Sequence, residues 1–415
     1  MSRPSVDNFS PTSPATIPLP VEIAFLLRHG VPASRLLQAA SLARRQGVTA
    51  DRALLAEGVV TDTFFYRALA AHLGVRFLEG LIDVAPEGMT TIIDGYARLR
   101  QPCDGAGWVF APNGAAILRL MSVTRADSSL PPPYLMTTPG LLTAAVRRAV
   151  SAQAAQQAAF SAERIDGDLS ARASLSARWP LVCATFALLA LLAGLYAPQI
   201  ELARGSALLL GLAFLSSIGL RLLACLASIA PPPRVESVDN ADLPIYTIVI
   251  ALYREARIVR QLTRAIDRLD YPRAKLDVKF VVEIDDEATP AALRAHAPRA
   301  PNEIVIAPKG APRTKPRALN VAMPLARGSL VAVFDAEDVP QPDQLRRSAA
   351  LFASLPPDIA CLQASLVIDN APENWMTALF AMDYAALFDV YNRGLAALGL
   401  PLFLGGTSNH FRGIM

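Results

Sequence analysis

Leu330-Val331-Ala332-Val333-Phe334-Asp335-Ala336-Glu337-Asp338 is the stretch on which the fold turns. Its five apolar residues are too few for a helix and read as a buried strand, which then runs out into three carboxylates. A second apolar run, Val278–Ile284, ends the same way in Asp285-Asp286. Carboxylates gathered at the ends of buried strands are costly unless something positive binds there. Magnesium or manganese, which prefer oxygen ligands, would satisfy them together with a phosphate-bearing ligand.

The surrounding chain supports that reading. Ile245–Leu252 is an apolar, β-branched strand candidate, and Glu255–Leu269 spaces Ile258, Leu262, Ile266 and Leu269 at helical intervals. Glu303–Ala307 reads as a strand, Pro316–Leu325 and Pro342–Ser354 as helices, and Ile359–Leu366 as extended. Strands alternating with helices predict an α/β, parallel, doubly wound sheet that binds its ligand at the carboxyl ends of the strands.

Two long apolar runs precede this region. Trp179–Ile200 carries no charge across about 22 residues, enough to cross roughly 30 Å of hydrocarbon. Gly205–Ala230 carries only Arg221, placed where it can snorkel to the interface. A short turn holding Pro198, Glu201 and Arg204 predicts a transmembrane hairpin over 178–230, closed by Pro231–Pro233. Arg164, Arg172 and Arg178 before it, and Arg221 and Arg234 at its far end, place both flanks in the cytoplasm. The expected location is therefore the inner (cell) membrane, multi-pass, in contact with the lipid bilayer.

Ahead of the hairpin, residues 1–20 are rich in Ser and Pro and read as a disordered tail, not a signal peptide. Residues 21–150 read as a small α/β domain. Gly47, Gly58 and Gly74 stand where helices end, Thr61 where one begins, and Trp108–Phe110 and Ala115–Leu118 are short apolar runs among turns. Residues 151–177 read as a linker or helical stalk.

Composition agrees with a membrane protein. Of 415 residues, 53% are hydrophobic and 18% charged. The net charge of +3 carries no nucleic-acid footprint. The four cysteines, Cys103, Cys183, Cys225 and Cys361, lack both a disulfide framework and zinc-ligand spacing.

The motifs of residues 243–415, taken in order, resemble the family 2 glycosyltransferases of the GT-A fold, in their cellulose synthase-like branch. Tyr253-Arg254-Glu255 stands where that family has a Tyr-Asn-Glu turn, with Arg in place of Asn. Asp285-Asp286 is similar to its base-contacting aspartate pair. Lys315-Pro316-Arg317-Ala318-Leu319-Asn320 is similar to its Lys-Pro-Arg-Ala-Leu-Asn block. Asp335-Ala336-Glu337 stands at its Asp-x-Asp metal motif, and Gly405-Gly406-Thr407-Ser408-Asn409-His410-Phe411 at the Gly-rich loop before its acceptor site.

The resemblance implies a Rossmann-like nucleotide-diphospho-sugar transferase (a hexosyltransferase) over 231–415, making a polysaccharide from a nucleotide-sugar donor, with a UDP-sugar as the expected one. It implies donor contacts at Tyr253, Glu255, Asp285, Asp286, Lys315, Arg317 and Asp335, with Arg313 adding charge. It implies metal ligation by Asp335 and Glu337, and a glycan acceptor near Gly406, Ser408, Asn409 and His410. Trp375 is a candidate sugar-stacking side chain or a core residue. The family's Thr-Glu-Asp general base and its Gln-x-x-Arg-Trp segment do not occur up to Met415. No catalytic residue is therefore assigned, and the chain as given is expected to be an incomplete domain that transfers no sugar.

The amino-terminal unit resembles the N-terminal domain of type II secretion and pilus ATPases, through Arg45-Gln46-Gly47, Leu54–Val60 and Ala68–Gly74. Some members of that domain family bind cyclic di-GMP through motifs opening with Arg-Leu-Gly; Gln46 stands here in place of Leu and His72 in place of Gln, so a structural or docking role toward a regulatory or polysaccharide-export protein is expected over nucleotide sensing. The competing reading of the whole chain is a non-catalytic membrane adaptor, or a cyclic di-GMP-responsive regulator, with a degenerate transferase domain.

Overall fold

The computed structural model describes residues 19–86, 92, 94–124, 134–167, 178–196, 198–231 and 236–413. The expected tail before residue 19, the linker segment 168–177 with Arg172, and Pro232, Pro233 and Arg234 lie outside the described residues. The chain divides into one unit of residues up to Ala85 with Asp94–Ala145, and another of Pro86–Ile93 with Val146 onward.

In the first unit, α1 (Ala33–Gln46), α2 (Ala50–Ala56) and α3 (Asp62–Leu73) stack around Leu36, Leu54, Phe65 and Leu69. Gly47 and Gly74 close α1 and α3 at φ +62° and +68°, a conformation that costs glycine nothing. Thr61 caps α3 by accepting from the Phe64 amide at 3.2 Å. β1 (Tyr96–Cys103) runs antiparallel to β2 (Ala106–Phe110), and β3 (Tyr134–Met136) lies parallel to β2. The run at Ala115–Leu118 opens helix α4 (Ala115–Thr124), which buries Ile117 and Met121 in the same core.

α5 (Pro139–Ala149) is followed by α6 (Ser151–Ala159). The stretch read as a linker or helical stalk is helical over Ser151–Ala159 and Ser161–Ile165. Ala158 of α6 is buried in the core of the second unit, and Asn320 donates to its carbonyl at 3.0 Å. Small, helix-favouring residues allow that close approach.

α7 (Arg178–Tyr196) and α8 (Gln199–Ala227) are the two apolar helices. The chain turns at Pro198, not at Glu201 and Arg204; these lie inside α8 and pair with each other at 2.8 Å. Proline suits that position because its fixed φ favours a helix start. Among the described residues, one helix, Ile200–Ala227, is long and apolar enough to cross a membrane; the other apolar stretch, Trp179–Leu192, is shorter. Both expose leucines, among them Leu188, Leu195, Leu209 and Leu222.

The second unit is built on a six-stranded sheet of order β6-β5-β4-β7-β9-β8. Its strands are β4 (Tyr246–Leu252), β5 (Leu276–Glu283), β6 (Asn302–Ala307), β7 (Leu330–Phe334), β8 (Cys361–Gln363) and β9 (Asn409–Arg412). Period-two alternation splits β4 and β5 between two cores. Ile248, Ile250, Val278 and Phe280 pack with α9 (Val259–Asp267) and α12 (Gln344–Ser354). On the other face Val249 and Val281 pack with α11 (Lys315–Ala322) and α6. Each such aliphatic or aromatic side chain, fully buried, contributes about 1.5–3 kcal/mol. The helix α10 (Ala288–Ala295) follows β5 and buries Leu293.

The sheet is mixed, which corrects the expectation of a parallel one. β4 to β7 are parallel, but β9 enters antiparallel between β7 and β8. Asn409-His410-Phe411-Arg412 has no apolar run to announce a strand. Its backbone pairs on both sides, Val331 opposite Phe411 and Leu362 opposite His410. Before β9 come α13 (Trp375–Ala385), a π-helical segment Ala386–Tyr391, and α14 (Asn392–Ala397).

Candidate active site

The chain leaves β4 toward β5 and β6 on one side, then returns to β7 on the other. The carboxyl ends around β4 are therefore the switch point at which open α/β sheets bind ligands. Three loops meet there: Tyr253-Arg254-Glu255 after β4, Asp285-Asp286 after β5 and Asp335–Asp338 after β7.

The aspartate pair divides into two roles. Asp285 is exposed; Arg313 donates to it at 2.5 Å and the Tyr253 hydroxyl at 3.4 Å. The Arg313 hydrogen bond holds its carboxyl below the ordinary range. Arg313 also lies 5.2 Å from the Tyr253 ring centroid, a cation–π contact. Asp286 is buried and accepts from the Arg254 amide at 2.6 Å and the Thr289 amide at 3.1 Å. Burial would raise its carboxyl, but the Thr289 hydroxyl and the surrounding backbone amides bring it below the ordinary value. Asp286 thus ties the first turn of α10 to the loop after β4. Glu255 is tied in through its own amide, which donates to Thr289 at 3.0 Å.

Lys315, at the start of α11, donates to the Asp335 carboxylate and, at 2.7 Å, to the carbonyl of Gly406. Both side chains of that ion pair are about a third exposed, at 33% and 29%. Glu337 is exposed, and Asp338 folds back to accept from the Asp335 amide at 2.9 Å and from the Thr407 hydroxyl. Burial raises the Asp338 carboxyl. Thr407 also accepts from the Asp335 amide at 2.9 Å, so β7 and the Gly-rich segment are stitched together.

Two expected contacts turn inward. The Arg317 guanidinium is buried and donates to Glu283 at 3.4 Å and to the Pro308 carbonyl, so it braces the sheet under the site. His410 is 1% exposed, with Nδ1 2.6 Å from the Tyr246 hydroxyl and Nε2 3.0 Å from the Gln344 amide nitrogen. Its position on β9 points it into the core, and burial pulls it down to about 4. Asn409 donates to Gly405 at 2.7 Å, and Ser408 is buried at φ +53°. Trp375 is 72% exposed, so the core reading fails for it.

Sequence reasoning overlooked Thr289, Gln344, Asp338 and Thr407 as organisers. Only Thr289 left a signal, standing three residues after Asp286 in a helix-start pattern.

At the opposite edge the carboxylates are spent on internal pairs. Asp277 is buried against Lys279 at 3.1 Å and Arg327 at 2.8 Å. Burial would raise its carboxyl, but the two cations bring it down to about 2. At the carboxyl edge, Asp285, Asp335 and Glu337 stay open to solvent beside two cations. No group of three or more His, Cys, Asp or Glu side chains suited to a metal comes together among the described residues. Two neighbouring carboxylates nevertheless match a cation that completes its shell on phosphate oxygens and water.

Residues 244–390 match the family described as "Glycosyltransferase like family 2". The beta-monoglucosyldiacylglycerol synthase of Synechocystis sp. is 30% identical over 164 residues, covering 39% of this chain and 34% of the relative. That of Trichormus variabilis is 28% identical over 150 residues, covering 36% and 31%. The chain spans about a third of the length of these curated relatives. Among solved structures, the chain is similar to the mannosyltransferase PcManGT from Pyrobaculum calidifontis in complex with GDP-Man and Mn2+. The identity is 23% and the TM-score 0.37, covering 48% of this chain and 53% of the other.

Proposed function

We propose, from the glycosyltransferase family 2 domain at residues 244–390, that this chain binds a nucleoside-diphosphate sugar at the carboxyl edge of its sheet and serves sugar transfer at a membrane. The observation that carries the reading is the convergence of Asp285, Asp335, Arg313 and Lys315 on that edge, joined by hydrogen bonds yet open to solvent.

Each residue has a distinct task in this reading. Tyr253 and Asp285 bound the nucleoside end, one offering an aromatic face and the other a hydrogen-bond acceptor. Arg313 and Lys315 supply charge toward the diphosphate. Asp335 and Glu337 would hold magnesium or manganese, which as a Lewis acid stabilises the departing diphosphate. In the transfer an acceptor hydroxyl oxygen bonds to the sugar C1. The bond from C1 to the phosphate oxygen breaks, its electron pair leaving with the diphosphate; the transfer also needs a general base to take the acceptor proton, a role to which no residue up to Met415 is assigned. Arg317, Asp286 and His410 fix the frame on which these groups stand.

The exposed apolar faces of α7 and α8 support insertion of both into a bilayer as a hairpin, with the sheet domain on the cytoplasmic side. Reporter fusions at residue 150 and after residue 240 should then report the same side. Opposite sides would remove the hairpin.

The donor site is tested by calorimetry on the full chain in detergent. UDP should bind in the presence of magnesium or manganese, and Asp335→Ala should abolish the metal dependence. Equal UDP binding with and without metal in the unsubstituted chain would overturn the assignment.

A further inference from the structure

α13 buries none of its own side chains. Apart from Thr377 and Asp383, its residues are all apolar or aromatic. Thr377 is spent on a capping box with Asn374, which fixes where the helix starts. Asp383 is left as the one charge on the helix. A helix this apolar belongs in a protein core or in lipid. Trp375, Met376 and Met382 are nevertheless 72%, 64% and 61% exposed, and Leu379 and Phe380 are half-exposed. At about 100° per residue these five fall within less than half of the helix circumference. They form one apolar face, and Asp383, one turn beyond Leu379, ends it.

The face is fastened to the end of α8. Rings stack from the exposed Phe380 through Tyr384, at 4.7 Å, to the buried Phe388, at 5.7 Å, and tie α13 to the π-helical segment. That segment runs on into α14, whose Gly394 packs directly on Ala224 of α8. Ala224 lies three residues, about 4.5 Å, before the end of α8. Arg393 donates to the Ala230 carbonyl just past that end. α14 also holds a second exposed apolar stretch. The Leu400 amide donates to the Leu395 carbonyl at 2.9 Å, and Asn392 donates to the Phe403 carbonyl at 2.9 Å. Leu400, Leu402, Phe403 and Leu404 of this stretch are exposed.

A contiguous apolar patch marks a protein or a membrane contact, and the attachment to α8 decides between them. If α8 spans a bilayer, its last turn lies at the cytoplasmic interface, and α13 and the Leu400–Leu404 stretch are held at that level. A near-uncharged face led by tryptophan and phenylalanine suits the boundary between headgroups and acyl chains.

We infer that the α13 face and the Leu400–Leu404 stretch form an interfacial foot, resting in the cytoplasmic leaflet beside α8. This rests on the reading of α7 and α8 as a membrane hairpin. Leu404 directly precedes the Gly405-Gly406-Thr407 loop that Lys315 holds, so the foot keeps the carboxyl edge of the sheet against the bilayer surface.

Tryptophan fluorescence of the full chain in phosphatidylcholine nanodiscs tests the inference. The tryptophans are Trp108, Trp179 and Trp375. Trp108→Phe with Trp179→Phe leaves Trp375 to report on the foot; Trp108→Phe with Trp375→Phe leaves Trp179, at the start of α7, to report on the hairpin. With bromines on the upper acyl chains, both should lose most of their emission, and aqueous acrylamide should quench Trp375 weakly. Leu379→Glu with Phe380→Glu should restore most of the Trp375 emission and leave Trp179 quenched. If the first single-tryptophan chain misfolds by circular dichroism, the quenching lost between the parent chain and Trp375→Phe reads the same residue. Trp375 quenched by acrylamide but not by bromolipid would mean a face left in water, and overturns the inference. Trp375 reached by neither quencher would mean a face covered by protein, such as a second copy, and also overturns it. Both results leave the hairpin standing when Trp179 is quenched. A Trp179 that bromolipid does not reach removes the hairpin and the foot together.

Discussion

The ammonium of Lys315 donates to the carbonyl of Gly406 at 2.7 Å, across 91 positions of sequence, while the same nitrogen meets the Asp335 carboxylate. A single flexible cation therefore joins the start of α11, the end of β7 and the loop before β9. Its charge is positioned where three chain segments with no local relation converge.

Lys315→Ala should weaken UDP binding in the presence of magnesium. A hydrogen bond to a charged group contributes about 1.5–3 kcal/mol, so the dissociation constant should rise roughly ten- to a hundredfold. Calorimetry measures this, with circular dichroism to establish that the variant is folded. An unchanged constant would place the diphosphate elsewhere.

Acid should destabilise the second unit through His410. Burial lowers its imidazole from the ordinary 6.5 to about 4. Between those values the unfolded chain binds a proton that the folded chain does not. The stability that His410 contributes is therefore present above about pH 6.5 and is lost as the pH falls toward 4, by up to about 3 kcal/mol. Protonation of Nε2 would also remove the acceptor facing the Gln344 amide. Asp338 acts in the opposite sense, because its raised carboxyl favours the folded state at low pH. Comparing His410→Gln with the parent chain separates the two. Urea midpoints at pH 7 and pH 4.5 should differ less in the variant.

Arg254 sits at φ +60°, a left-handed conformation that costs a side chain with a Cβ about 1–2 kcal/mol. Asn tolerates that region better, and Arg254→Asn keeps the amide that Asp286 accepts from. The melting temperature should rise by about 2–4 °C. A fall would mean that stacking of Arg254 over Tyr253, at 5.0 Å, outweighs the strain.

Gly394 binds α14 to α8 without a side chain. A Cβ there would stand 1.9 Å from the Ala224 carbonyl oxygen, whereas at Gly205, also on α8, it would meet nothing within 4 Å. Gly394→Ala should therefore cost about 1–3 kcal/mol through overpacking, and Gly205→Ala should be neutral or slightly stabilising. Thermal melts of the two variants in the same detergent supply the comparison. Equal melting would mean that α8 and α14 separate freely.

The sequence by itself determined the strands that run continuously apolar and the chemistry at their ends. Leu330–Phe334 is a strand in the structure with the bounds its five apolar residues suggest, because a strand buried on both faces leaves no polar residue to blur its limits. Gly47, Gly74 and Thr61 likewise mark helix ends through backbone rules that act within a few residues. Tertiary structure alone decided which polar groups of a motif face the open carboxyl edge of the sheet. Lys315 and Arg317 are two positions apart in one block, yet one reaches Asp335 at a solvent-open edge and the other is buried against Glu283. A helix turns about 100° per residue, so neighbours in a motif point to different places, and only the packing of α11 on the sheet selects which. β9 was likewise decided by its partners. Asn409–Arg412 is a strand because β7 and β8 lie on either side to pair its backbone, and a backbone ladder leaves no trace in side-chain pattern.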